Sequence, residues 1–157
     1  MMFNGHEGHP TIYITTYLYK YVYMSSLIED TAHRIKTVQH RHHRALDGAL
    51  AELGITLVQW NALREIERHP GASMHALAEA TFNSDQAFGT LAKRLLEAGL
   101  IDRRRGSGRV LTHELTTKGQ DLLDQGYAKY IAVMTAAFHG LSSGQILELQ
   151  ELLGRIG

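Results

Sequence analysis

Cysteine is absent from this chain of 157 residues. Without a thiol, the protein has no disulfide, no cysteine nucleophile, no cysteine-ligated zinc and no cysteine redox switch. The sequence also lacks an apolar run of roughly 18 residues, the length that a membrane-spanning helix needs. It has neither the basic start nor the small-residue cleavage site of a secretory signal. We therefore expect a cytoplasmic protein with no membrane partner.

An excess of charge is also absent, because 16 Lys and Arg residues balance 16 Asp and Glu residues. Nucleic-acid-binding chains commonly carry a global basic excess, so any such function here must depend on a local cluster of charge. Apolar residues make up 44% of the chain, which is ordinary for a globular protein and excludes wholesale disorder. The length favours one domain, or two very small ones.

The first 24 residues differ in composition from the rest of the chain. They hold six of its aromatic residues, namely Phe3, Tyr13, Tyr17, Tyr19, Tyr21 and Tyr23. The β-branched and aromatic residues between positions 11 and 23 predict a strand. Two interpretations of residues 1–24 stay open: an N-terminal arm that packs on a partner, or an upstream extension with Met24 as the natural start.

From Ser26 onward, signals for helix starts and helix ends alternate. In a capping box, a Ser or Thr side chain bonds the amide three residues later, and a Glu or Gln at that later position bonds back. The matching pairs are Ser26–Glu29, Thr56–Gln59, Thr117–Gln120 and Ser142–Gln145, with Asn83–Gln86 as a weaker variant. Glycines fall where helix C-terminal caps belong, at Gly54, Gly71, Gly99 and Gly140.

Apolar residues at spacings of three and four predict the helices themselves. The helices are expected at 26–53, 57–68, 74–80, 84–98, 117–138 and 142–156, and strands are expected at 101–105 and 109–115. The two strands flank Gly106-Ser107-Gly108, a short hairpin turn. Two short helices in tandem, followed directly by a basic hairpin, define a winged helix-turn-helix. The predicted fold class is mainly α with a small β-hairpin wing.

Positive charge is concentrated between positions 93 and 109. The basic residues there are Lys93, Arg94, Arg103, Arg104, Arg105 and Arg109, against two acids, Glu97 and Asp102. A phosphate backbone favours such a cluster because binding releases condensed counterions. The cluster therefore predicts contact with double-stranded DNA. A solvated basic hairpin on a protein-interaction module is the alternative interpretation.

The 84–98 helix is expected to read DNA bases with its N-terminal half. Its residues there are mostly small or polar and suit base edges, whereas Phe88, Leu91, Leu95 and Leu96 should face the core. The predicted DNA-binding residues are Ser84, Asp85, Gln86, Thr90, Lys93, Arg94, Arg103, Arg105 and Arg109. Among them, Ser84, Gln86 and Thr90 are expected to reach bases, and the basic residues to reach phosphates or grooves. The wing would enter a minor groove.

Several short sequences occur in a fixed order between about Leu53 and Gly119. They are Gly54-Ile55-Thr56-Leu57, Gln59-Trp60 with Leu63, Leu77-Ala78-Glu79, Leu91, Arg94-Leu95, Glu97-Ala98-Gly99-Leu100-Ile101 with Arg103, and Leu115-Thr116-Thr117-Lys118-Gly119. In this order they resemble the MarR family of bacterial transcription regulators. The flanking helices match the family in position and length, so the resemblance covers about residues 25–157.

The resemblance implies an organisation and a function. It implies an obligate homodimer that reads a pseudo-palindromic operator, with the 84–98 helix in the major groove and the 103–110 wing in the minor groove. Residues 25–54 and 117–157 would be dimerisation helices around a DNA-binding domain at 55–116, with 1–24 as an extension. Family members usually repress transcription and often respond to a small phenolic or anionic effector. Such a protein is bacterial and cytoplasmic, and is nucleoid-associated when bound to DNA.

The wing departs from the family pattern. The family usually carries an Asp-x-Arg motif, whereas Gly106-Ser107-Gly108-Arg109 supplies the Arg without the Asp. The wing is also shorter by about two residues. We therefore expect Arg109 to be held less rigidly than its counterparts. The lack of cysteine excludes the family's thiol-based peroxide sensors.

Other functional residues are few. Trp60 and His42 are candidates for an effector pocket, with core packing as the alternative for both. His40, His42 and His43 lack the i, i+4 spacing of a helical metal site, and we predict no metal, no cofactor and no catalytic residue. Arg41 and Arg44 leave open a phosphate or anion contact. The alternative function is a dimeric small-molecule or metal-binding protein whose winged helix makes protein contacts.

Overall fold

The computed structural model describes residues 10–105 and 111–156. Its elements are α1 (Pro10–Ala51), α2 (Leu57–Arg68), α3 (Met74–Ala80), α4 (Asp85–Glu97), β1 (Ile101–Arg105), β2 (Leu111–Leu115), α5 (Thr117–Phe138) and α6 (Ser143–Gly154). The predicted fold class, mainly α with a small two-stranded wing, is confirmed. The predicted turn at Gly106-Ser107-Gly108 and the wing residue Arg109 lie outside the described residues. In the described part of the chain, no helix is long and apolar enough to cross a membrane.

The chain divides into two compact units, residues 1–41 and residues 42–157. In the first unit, the predicted strand at 11–23 is wrong, because these residues belong to the 42-residue helix α1. β-branched and aromatic residues have only a modest local preference against helix, which a long helical context overrides. The predicted start at Ser26 is wrong for the same reason, since Ser26 and Glu29 lie inside α1.

Two of the predicted capping boxes are confirmed, at Thr56–Gln59 for α2 and at Ser142–Gln145 for α6. The α2 start receives a second contact from α1, because the Leu57 amide donates to Asp47 Oδ1 at 2.9 Å. The first turn of α2 thus has side-chain acceptors for amides that have no partner within the helix.

The other two predicted caps are wrong by one residue. The cap of α5 is Thr116, not Thr117, and its hydroxyl oxygen accepts from the Gly119 amide at 3.0 Å. The cap of α4 is Ser84, not Asn83. In each case two adjacent residues are capable of capping, and tertiary contacts choose between them. The Asn83 side chain is used instead within the preceding turn, where its amide donates to the Thr81 carbonyl at 3.0 Å.

The core of the second unit lies between α2, α4, α5 and the sheet. Every predicted core residue of α2 is buried: Leu57, Trp60, Leu63 and Ile66. Phe88, Leu91 and Leu95 of α4 are buried as predicted, whereas Leu96 is only partly buried. The Trp60 Nε1 donates to the Leu123 carbonyl of α5 at 3.2 Å. A buried indole that also satisfies its N–H fixes the distance between these two helices.

The first turn of α5 closes over the end of α4. The Thr116 hydroxyl donates to the Gly99 carbonyl at 2.8 Å, and Lys118 Nζ donates to the Ala98 carbonyl at 2.9 Å. These two bonds satisfy carbonyls that α4 leaves without an intrahelical partner. Gly119 lies so close to this segment that a Cβ there would be 2.0 Å from the Leu100 carbonyl oxygen. The β-hairpin begins directly after Leu100, and its register places Ile101 opposite Leu115 and Arg103 opposite His113.

We predict that Gly119→Ala destabilises the protein by roughly 3 kcal/mol, because its methyl group overlaps a backbone oxygen that cannot rotate away. Thermal unfolding at one fixed protein concentration measures this effect. Gly48→Ala is the matched control, because a Cβ at Gly48 in α1 meets nothing within 4 Å. The control should be stabilised by about 0.5–1 kcal/mol. Equal unfolding temperatures for the two variants would contradict the close approach at Gly119.

Candidate nucleic-acid interface

The helix α4 carries the predicted base-reading residues on its exposed side. Ser84, Gln86 and Thr90 are all exposed. The Ser84 hydroxyl oxygen accepts from the Ala87 amide at 3.2 Å, and the Thr90 hydroxyl donates to the Gln86 carbonyl at 3.1 Å. Gln86 and Thr90 are one helical turn apart, so they share a face. The buried face with Phe88 holds this polar face outward.

Asp85 has a partner that sequence analysis missed. His75 of α3 donates from Nδ1 to Asp85 Oδ1 at 3.0 Å, and its Nε2 lies 3.8 Å from Glu79 Oε1. The hydrogen bond and the negative charge of Asp85, followed by the charge of Glu79, raise the pKa of His75 above its ordinary value. When charged, His75 offsets the negative charge of Asp85 at the start of α4 and of Glu79 on α3.

The i, i+4 spacing of His75 and Glu79 is visible in the sequence and would have suggested their contact. The spacing of His75 and Asp85 is not informative, because the turn between α3 and α4 brings them together. Asp85 therefore links the two helices of the helix-turn-helix, and its contact with DNA stays a prediction.

Some basic residues of α4 and β1 form ion pairs with nearby glutamates. Lys93 lies 3.8 Å from Glu97 on the same helix, and Arg104 donates from Nε to Glu114 across the sheet at 2.9 Å. Arg94 and Arg103 are exposed. Exposed ion pairs are weak, so a phosphate displaces them at small cost. Arg105 ends β1.

His113 of β2 is a buried group that the sequence did not single out. It is 5% exposed, and its Nδ1 has no hydrogen-bond partner among the described residues. Burial, and then the nearby charge of Arg103, lower the pKa of His113. A neutral His113 at the base of the wing leaves the positive charge of the hairpin on its exposed arginines.

The candidate pocket residues lie in packed surroundings. Trp60 is fully buried, with Tyr130 stacked on it at 5.4 Å, Tyr127 edge-on at 5.2 Å, and the Arg64 guanidinium 5.2 Å from its ring centre. The His42 ring lies 5.7 Å from that of Phe138. This packing supports the alternative interpretation of both residues as core or near-core groups.

An open cavity of about 480 Å³ lies away from these two residues, between the segment that follows α1, the segment that follows α4 and the N-terminal part of α5. Its lining includes Leu53, Ile55, Leu100, Lys118 and Leu122. Neither Trp60 nor His42 lines it. Over residues 10–105 and 111–156, no group of three or more His, Asp or Glu side chains is arranged to hold a metal ion.

The geometry defines a winged helix-turn-helix protein, in which α3 and α4 pack together and β1 packs against α4. Comparison with known proteins shows which family of winged helix-turn-helix proteins the chain resembles. A family model described as the MarR family matches residues 53–109. The HTH-type transcriptional repressor Rv2887 of Mycobacterium tuberculosis is 31% identical over 114 residues, 71% of this chain and 82% of the relative. The chain therefore belongs to the MarR family.

Solved structures agree with this assignment. The crystal structure of the Mycobacterium tuberculosis MarR family protein Rv2887 in complex with p-aminosalicylic acid has a TM-score of 0.66 and 27% identity. The match covers 79% of this chain and 95% of the Rv2887 chain. The structure of Rv2887 in complex with DNA has a TM-score of 0.65 and 25% identity, and covers 80% of this chain and 96% of its own.

We predict that His75 and His113 titrate on opposite sides of the ordinary histidine value. In NMR titrations of the ring protons, the pKa of His75 should lie above 6.5 and that of His113 below it. The variants His75→Gln and His113→Gln assign the two signals. Asp85→Asn should lower the pKa of His75 and leave that of His113 unchanged. If Asp85→Asn left the pKa of His75 unchanged, the contact between His75 of α3 and Asp85 of α4 would be contradicted.

Protonation of His75 and protonation of His113 have opposite effects on the stability of the fold. The contribution of His75 is fully present below pH 6.5 and is lost as the pH rises through its raised folded-state pKa. His113 destabilises the fold when protonated, so that stability is lost as the pH falls from 6.5 through its lowered folded-state pKa.

Proposed function

We propose that this protein is a homodimeric, sequence-specific repressor of transcription that responds to a small ligand. The helix α4 enters the major groove of each half of a pseudo-palindromic operator, and the wing at 103–110 enters the adjacent minor groove. The two half-sites lie about one helical turn apart, roughly 34–36 Å. The protein acts in the bacterial cytoplasm, associated with the nucleoid when bound to DNA, and has no catalytic role.

The observation that carries this proposal is the exposed polar face of α4 beside a basic hairpin. Small polar side chains that can reach base edges sit at Ser84, Gln86 and Thr90. Exposed cations at Lys93, Arg94 and Arg103 border them and suit phosphates. The relationship to the repressor Rv2887, which has been solved with DNA, supports the same role.

Exposed apolar side chains support the dimer. The helix α6 buries none of its residues within the chain, although Leu147, Leu152 and Leu153 lie on it. An exposed apolar helix of this kind needs a partner surface. We assign residues 117–157 to dimerisation, and residues 55–116 to DNA binding.

The helix α1 shows a second apolar seam in its exposed part. Tyr21, Ile28 and Ile35 recur at intervals of seven, and Met24 and Val38 lie at spacings of three from them; all five are exposed. Apolar residues at alternating spacings of three and four are typical of helices that pair with another helix. We therefore assign residues 25–54 to dimerisation. Tyr21 and Met24 of this seam belong to residues 1–24, which favours the interpretation of that segment as an arm that packs on a partner.

The proposed effector is a small aromatic molecule. Rv2887 has been solved with p-aminosalicylic acid, so an aromatic carboxylate or phenol is the chemical class that we propose. Such a ligand acts by favouring one of two existing separations of the recognition helices. It lowers DNA affinity only to the extent that it binds the DNA-incompetent form more tightly.

We predict that the protein binds duplex DNA from upstream of its own gene more tightly than random duplex, with an affinity that falls steeply with salt. Fluorescence anisotropy at several salt concentrations measures both properties. Arg103→Ala and Arg109→Ala should each weaken binding and reduce the log–log salt slope by about one for every phosphate that the variant no longer neutralises on the duplex.

Arg155→Ala is the control for these variants, because it removes an exposed arginine just after α6, outside the winged helix. It should leave the affinity and the slope unchanged. If Arg109→Ala left both quantities untouched, the assignment of the wing to DNA would be wrong.

We also predict that Leu147→Glu converts the dimer to monomers of 17.6 kDa. Leu147 is 65% exposed in the chain, and a carboxylate in an apolar interface is costly to desolvate. Sedimentation velocity measures the mass. Gln150→Glu adds the same charge at a polar position of α6 and should leave the dimer intact. A dimer that survives Leu147→Glu would contradict the assignment of α6.

A further inference from the structure

The turn between α3 and α4 contains an unusual residue. Phe82 has a φ of 55°, and it is the one residue other than glycine with a left-handed backbone among the described residues. Its side chain is 98% exposed. A bulky side chain in this conformation is strained, and a phenyl ring in water forgoes the burial that usually stabilises it. Phe82 thus carries two costs with no compensating contact in the described part of the chain.

The hydrogen bonds of this turn show which position Phe82 holds. The Phe82 amide donates to the Glu79 carbonyl at 3.0 Å, and the Asn83 amide donates to the Ala78 carbonyl at 2.8 Å. These two bonds define a Schellman motif, in which the left-handed residue is usually glycine. Phe82 occupies that glycine position at the end of α3.

The same chain uses glycine where the same motif ends other helices. After α4, Gly99 has a φ of 66°, its amide donates to Leu96, and the Leu100 amide donates to Leu95. Gly54 has a φ of 75° after α1 and makes the corresponding bonds. The fold therefore has no general need for a large residue at this position, and no contact among the described residues explains the ring of Phe82, which points to a contact with another molecule.

The position of Phe82 indicates what that contact is. Phe82 is separated from Ser84, the cap of α4, by Asn83 alone, and Ser84 and Gln86 are exposed at the proposed base-reading end. The major groove offers one apolar feature at a base edge, the 5-methyl group of thymine, which phenylalanine can contact. We propose that Phe82 packs against a thymine methyl group at the edge of the major groove, and so contributes to operator specificity. This inference rests on the proposed function and adds a residue to it.

The test needs an operator, which selection from a pool of random duplexes with the wild-type homodimer provides. Each thymine of the selected duplex is then replaced singly by deoxyuridine, which removes the methyl group and keeps the base pair. For the wild type we expect affinity to fall roughly fourfold at one thymine of a half-site, the reduction that corresponds to one methyl group.

The variant Phe82→Asn is compared on the same duplexes. Asparagine tolerates the left-handed backbone, so the variant should unfold at a temperature about 2–4 °C higher than the wild type. It should bind the thymine duplex several-fold more weakly than the wild type, and replacement of the critical thymine should cost it nothing further. Such non-additivity is the mark of a direct contact. Phe82→Tyr keeps the ring and should retain the wild-type dependence on the methyl group.

The outcomes separate this inference from the proposed function. If the wild type selects a duplex that Phe82→Asn binds equally well, the inference is overturned and the function stands. A Phe82→Asn variant that binds weakly but still depends on the same thymine methyl group as the wild type also overturns it. A wild-type protein that selects no duplex overturns the proposed function, and the inference with it.

Discussion

The contact between the first turn of α5 and the chain that leaves α4 sets the position of α4, whose exposed face we propose to read DNA. Thr116 and Lys118 donate to the carbonyls of Gly99 and Ala98, directly after α4, and Gly119 allows the two backbones to meet. The same segment begins the wing, since β1 starts at Ile101. Because α5 also holds Trp60 through the Leu123 carbonyl, one helix fixes both the recognition helix and the core beneath it. In the function that we propose, a ligand that moved α5 would therefore also move α4.

Periodicity predicted the inner elements of the fold well. The bounds of α2, α3 and α5 match the apolar spacing because each of these helices buries one face against the core. The N-terminal strand was wrong because residues 11–23 were judged by local preference, which a long helix overrides. The caps at Thr116 and Ser84 were missed by one residue because adjacent residues offered the same chemistry, and only the folded chain distinguishes them.

The sequence predicts which residues are exposed at the candidate site better than it predicts the contacts between them. The exposed face of α4 follows from its sequence, because Phe88 and Leu95 demand burial and leave the polar residues outside. The link between His75 and Asp85 does not follow, since it depends on the angle of the turn between two helices. The conformation of Phe82 does not follow from the sequence for a similar reason. Its left-handed backbone arises from hydrogen bonds that end α3, and no periodic pattern contains that information.

The neutrality of the whole chain has a consequence for how an operator is found in a genome. Sequence-independent attraction to DNA grows with the number of phosphates neutralised, and here the local excess of positive charge lies between positions 93 and 109, while acids elsewhere in the chain balance it. We expect the balancing acids to weaken sequence-independent attraction, so that fewer copies of the protein are held at the excess of non-specific sites. In the function that we propose, discrimination then depends on the base-edge contacts of α4, and occupancy of the operator falls when a ligand favours the DNA-incompetent form.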